Sequence, residues 1–112
     1  MKYNSDIKGN VLVLALEGDL IGETNGMELM ELVNEKVNEE IVKCAIDLSA
    51  VRYMNSSGIG VLITLLTKFR NKGGEVVLIN PSEQIKKLLI ITKLNSIFFI
   101  VDNESQALER LS

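Results

Sequence analysis

Val11-Leu12-Val13-Leu14-Ala15-Leu16 is a run of six apolar residues with no polar break. Successive side chains of a strand point to opposite faces of its sheet, so such a run suits a strand covered on both faces. That requirement points to a layered α/β domain. Residues 3–8 make a short edge strand ahead of it, and Gly9-Asn10 supplies the turn of a hairpin. After Gly18-Asp19, Thr24 can cap a helix in which Met27, Met30, Val33 and Val37 recur at helical spacing while Glu28, Glu31 and Glu35 face water. The two methionines read as core.

Residues 41–46 form the next strand, and a helix over residues 56–72 buries Ile59, Leu62, Ile63, Leu66 and Phe69 before Gly73-Gly74 ends it. Residues 76–79 are a strand. Asn80-Pro81-Ser82-Glu83 then offers a cap, a proline at the first helical position and a glutamate at the third, opening a helix with Ile85, Leu88 and Leu89 inward. Residues 97–101 give a fifth strand, and Asn103 with Gln106 caps a last helix whose apolar side is Ala107, Leu108 and Leu111. Strands separated by single helices imply right-handed crossovers and parallel neighbours, whereas the opening hairpin is antiparallel. The expected fold is therefore one α/β domain over residues 1–112, with a mixed, mostly parallel sheet of four to five strands and about four helices.

The chemistry open to this chain is narrow. It has no histidine, which excludes Ser-His-Asp and Cys-His arrangements and histidine metal sites. Its single cysteine, Cys44, lies in an apolar strand, reads as a small buried hydrophobe and fits a reducing cytosol. Gly58-Ile59-Gly60 lacks the third glycine of a dinucleotide fingerprint and the lysine of a P-loop. Glu17, Asp19, Glu23 and Asp47 are explained by solvation and capping, so neither a metal nor a cofactor is expected, and the chain does not read as an enzyme. Residues 1–50 carry four basic and ten acidic groups and residues 51–112 carry eight and five, an asymmetry best read as solvated helix faces. The basic residues are scattered without interleaved aromatics, which disfavours nucleic acid. Short apolar runs and a start without a signal-peptide core argue for a soluble, cytoplasmic protein with no membrane insertion.

Between the third strand and the second helix stands Asp47-Leu48-Ser49-Ala50-Val51-Arg52-Tyr53-Met54-Asn55-Ser56-Ser57-Gly58-Ile59-Gly60-Val61-Leu62. Helix starts leave N–H groups without acceptors at the positive end of the macrodipole, so a negative group on Ser56 or Ser57 is tolerated there. Capping alone also accounts for Asn, Ser and Gly at such a turn. The stretch resembles the STAS-domain proteins of the anti-sigma factor antagonist type, where a strand ending in Asp-Leu-Ser leads to an aromatic, a Met, and Asp-Ser-Ser-Gly or Asp-Ser-Thr-Gly. The resemblance implies phosphorylation at Ser56, with Ser57 as the alternative, and a partner surface built from Met54, Asn55, Ser56, Ser57, Gly58, Ile59 and Gly60. It implies as partners an ATP-dependent anti-sigma factor serine kinase, sequestered so that a sigma factor is freed, and a serine phosphatase that resets the switch. The other reading of the same resemblance is a constitutive STAS adaptor subunit of a transporter or other signalling assembly. Two positions depart from the family pattern: Asn55 replaces its Asp, and Gly18-Asp19-Leu20-Ile21 lacks the last acid of its Gly-Asp-Leu-Asp.

Overall fold

A computed structural model describes residues 2–21 and 25–111, with the side chains of residues 25–27 outside the description. The expected Thr24 cap, Glu23 and the side chain of Met27 therefore lie outside the described residues. The chain runs β1 (Lys2–Lys8), β2 (Val11–Leu20), α1 (Asn25–Asn38), β3 (Lys43–Met54), α2 (Ser56–Arg70), β4 (Glu75–Ile79), α3 (Glu83–Ile91), a 3-10 turn (Leu94–Ser96), β5 (Phe99–Val101) and α4 (Glu104–Leu111). The five strands lie in sequence order in one sheet, β1 antiparallel to β2 and the others parallel. Gly9 joins the hairpin strands at a φ of 64°, a conformation that costs glycine no steric strain.

Alternation along the strands sorts the core into two layers. Leu12, Leu14, Leu16, Ile46 and Leu78 face α1, α2 and α3, where Leu29, Leu62, Leu65, Phe69 and Leu89 are buried against them. Val11, Val13, Ala45, Val77 and Ile79 face the other way, where Ala107 and Leu111 of α4 cover them. The apolar run of β2 is thus covered on both sides, as its sequence requires. Cys44 is buried in the first layer, and desolvation pushes its thiol pKa up, leaving it protonated at neutral pH.

Several boundaries differ from the sequence expectation. The third strand continues eight residues beyond Ile46 because β3 bulges twice against β2: Ala15 pairs Asp47 but Glu17 pairs Ala50, and Gly18 pairs Val51 but Asp19 pairs Tyr53. Each bulge adds one residue to β3. Buried positions there fall at Leu48, Val51 and Met54, a spacing of three that hides the strand from a search for alternation. On α2, Ile63 is exposed, while Val61 and Leu65 are buried in its place, because the helix is covered over a wider arc than one narrow stripe. The helix closes with Gly73 at a φ of 80° and with N–H groups of Gly73 and Gly74 donating to the carbonyls of Arg70 and Phe69, each at 2.9 Å. The cap of α3 is Ser82, whose Oγ accepts from Ile85 N–H at 3.2 Å, so Pro81 precedes the helix instead of starting it. β5 begins at Phe99, after the 3-10 turn buries Leu94 and Phe98. Asn103 does cap α4, accepting from Gln106 N–H at 2.9 Å, and Gln106 Oε1 accepts in return from Asp102 N–H at 2.9 Å.

Candidate functional site

The second bulge of β3 and the start of α2 together build the site. Asp47 Oδ1 accepts from both the N–H and the hydroxyl of Ser49, at 2.9 and 2.6 Å, which satisfies the backbone where the first bulge interrupts the ladder. Arg52, the extra residue of the second bulge, donates twice to the Asp19 carboxylate, at 3.0 and 2.9 Å. That hydrogen-bonded guanidinium holds the Asp19 carboxyl below the usual carboxylate range, with the pair's Coulomb attraction acting against partial desolvation. Among the described residues no group of three histidine, cysteine, aspartate or glutamate side chains is placed to hold a metal.

Asn55 ends the strand in an extended conformation, with φ −105° and ψ −176°, and caps α2 by accepting from Gly58 N–H at 2.9 Å. The helical ladder begins with Ile59 N–H donating to Asn55 O at 2.9 Å, so the N–H groups of Ser56 and Ser57 lie ahead of it. The carbonyl of Leu20 anchors this turn twice. It accepts from Asn55 N–H at 3.4 Å, and a Cβ added to Gly58 would collide with it. Gly58 is therefore the packing glycine that lets α2 sit on the end of β2. Gly60 is exposed, with open space where a Cβ would go.

The residues singled out from the sequence thus divide. Ser56, Ser57 and Gly60 are exposed and Asn55 is half-buried, while Met54 is 3% exposed, Gly58 is buried and Ile59 is at the buried edge. Burial takes Gly58 out of the accessible patch, while Met54, almost wholly buried, still lines the groove beside Asn55 and Ser56. The apolar members that sequence reasoning missed are Tyr53 and Ile91, the latter 77% exposed. Both line a groove of about 620 Å³ between the start of α2 and α3, together with Ser56, Ile59, Lys87 and Leu88. Ser57 is not among its lining residues. The sequence does carry one signal for it: Ile90 and Ile91 add two apolar residues beyond the inward face of Ile85 and Leu89.

A family model described as the STAS domain matches residues 2–107. The anti-sigma F factor antagonist of Paenibacillus polymyxa is 30% identical over 101 residues, covering 90% of this chain and 86% of that one. A crystal structure of a candidate anti-sigma factor antagonist from Thermotoga maritima superposes with a TM-score of 0.88 at 26% identity, over 97% of this chain and 93% of that one. The Bacillus cell fate determinant SpoIIAA in its phosphorylated form superposes with a TM-score of 0.79 over 99% of this chain and 100% of that one; at 17% identity this likeness concerns the fold.

Proposed function

We propose that this chain, which belongs to the STAS-domain family, acts in the cytoplasm as a one-domain anti-sigma factor antagonist whose binding is switched by phosphate on Ser56. Unmodified, it sequesters an ATP-dependent anti-sigma factor serine kinase and frees a sigma factor. Modified, it lets the kinase go, and a serine phosphatase resets it. The observation that carries this reading is an exposed Ser56 at the first position of α2, directly after a capping residue and beside the open side of Gly60. Absence of a side chain at Gly60 leaves room for a kinase cleft to approach the hydroxyl. A phosphate there adds about 1.5 to 2 negative charges at a helix N-terminus, which the fold tolerates and a close interface does not. The chain serves as substrate and ligand in this scheme, with no catalytic residue of its own.

The experiment is a kinase reaction followed by titration. The antagonist is incubated with ATP and a cognate anti-sigma factor kinase, and the modified residue is mapped by mass spectrometry. Binding of that kinase is then compared calorimetrically for unmodified protein, enzymatically phosphorylated protein, Ser56→Ala and Ser56→Asp. Phosphate on Ser56 alone, with binding lost by the phosphoprotein and retained by Ser56→Ala, is the expected result. Exclusive modification of Ser57 rejects Ser56 as the acceptor, and phosphoprotein that binds as tightly as unmodified protein rejects the switch and leaves the constitutive adaptor.

A further inference from the structure

Ser56 and Lys87 belong to different helices, yet they line the same groove. The other lining residues are apolar or uncharged, so Lys87 is the groove's one charged residue and no carboxylate competes for it there. Its neighbour Lys86 lies 3.5 Å from Glu83, whereas Lys87 makes no hydrogen bond or salt bridge with any described residue. We propose that Lys87 is the internal counter-ion of a phosphate on Ser56, the two pairing across the groove and closing it over Tyr53, Ile59, Leu88 and Ile91. The proposal rests on the reading of Ser56 as the phosphoacceptor and adds how the modified state is held.

Charge and reach both favour the pair. A phosphoserine carries about 1.5 to 2 negative charges at pH 7, and a lysine ammonium rides on a flexible four-carbon stem that can swing toward it. Both side chains line one groove, and charges placed there interact wherever they come within the screening length of about 8 to 10 Å at physiological salt. Pairing removes two things that a partner could use, a free cation and the apolar floor beneath it. Release of the partner then follows from lost complementary surface as well as from repulsion. Ser57 is exposed as well but is not among the residues that line the groove with Lys87.

Phosphoserine inserted during translation at position 56 tests the pairing without any kinase. The second ionisation of the phosphate, near pH 6 when unperturbed, is followed by phosphorus-31 NMR at low salt. With Lys87 present it should fall about 0.5 pH unit below its value in Lys87→Met, since a neighbouring cation favours the dianion. Lys87→Arg should keep the lowered value, 1 M KCl should abolish the difference, and phosphoserine at position 57 should be indifferent to Lys87→Met. Equal titration at position 56 with and without Lys87, or an equal response at position 57, overturns the pairing. Partner binding by the same proteins separates the two ideas: partner release without the titration difference sinks the pairing alone, and the difference without release sinks the switch alone.

Discussion

At the scale of single residues, the site turns on Asn55, Gly58 and Gly60 around the start of α2. Asn55 caps the helix with a carboxamide oxygen where the family has a carboxylate, and both groups accept from an N–H equally well. Asn55→Asp should therefore leave stability nearly unchanged in urea denaturation, while Asn55→Ala should cost about 0.5 to 2 kcal/mol. If the kinase reads the missing charge, Asn55→Asp is also phosphorylated faster; a faster wild-type protein would mean that the kinase has adapted to Asn. The two glycines predict opposite signs. Gly58→Ala drives a methyl into the rigid Leu20 carbonyl and should destabilise by about 2 to 3 kcal/mol, whereas Gly60→Ala adds a methyl in open space to a helix interior and should stabilise by about 0.5 to 1 kcal/mol. Should Gly60→Ala also weaken kinase binding, the open side of the helix is where the partner sits. Equal effects of the two substitutions on the denaturation midpoint would contradict the packing described for Gly58.

At the scale of elements, the doubly bulged end of β3 aims the Asn55 turn, and the Asp19–Arg52 pair clips the second bulge to β2. Its contribution has a defined pH dependence. The folded pKa of Asp19 is depressed, so the pair's stabilisation is complete above the unfolded value of about 3.9 and is lost as pH falls through the lower folded value. Asp19→Asn should flatten that acid limb of a stability–pH curve and change little at pH 7 in 1 M salt, where an exposed pair is screened. An acid limb as steep in Asp19→Asn as in wild type would assign it to other carboxylates. This element also marks where the sequence stopped being legible. The β2 run, the α2 face apart from Ile63 and the Asn103–Gln106 cap are readable because each is a local pattern of period, burial or capping chemistry. The far half of β3 is not, because two inserted residues turn alternation into a spacing of three. The same holds for the groove: Lys87 and Ile91 meet Ser56 only through the β4–α3 crossover, and no local pattern encodes that meeting. At Asn80-Pro81-Ser82-Glu83 the expected cap ahead of Pro81 gives way to Ser82, whose Oγ accepts from Ile85 N–H.

At the scale of the whole molecule, the sheet is held by helices on both faces, and the proposed acceptor stands outside that packing. Ser56 is exposed, its neighbours Met54, Gly58 and Ile59 are the ones fixed in or against the core, and its hydroxyl holds no structural hydrogen bond among the described residues. A phosphate added there displaces water and no packed side chain, so switching needs no second conformation of the domain. The sign of the stability change then follows from electrostatics alone. A negative group at a helix N-terminus contributes about 0.3 to 1 kcal/mol, and a domain of roughly this size gains about 4 to 8 °C in thermal midpoint per kcal/mol. The phosphorylated protein should thus melt at the same temperature as the unmodified one or a few degrees higher, with hydrogen exchange in β2, β3 and β4 unchanged and altered protection confined to the start of α2 and to α3. Calorimetry and exchange on the two forms measure this directly. A midpoint lowered by several degrees, or faster exchange spreading into β3, would show that the modification works by loosening the fold, and a switch confined to the surface would have to be abandoned.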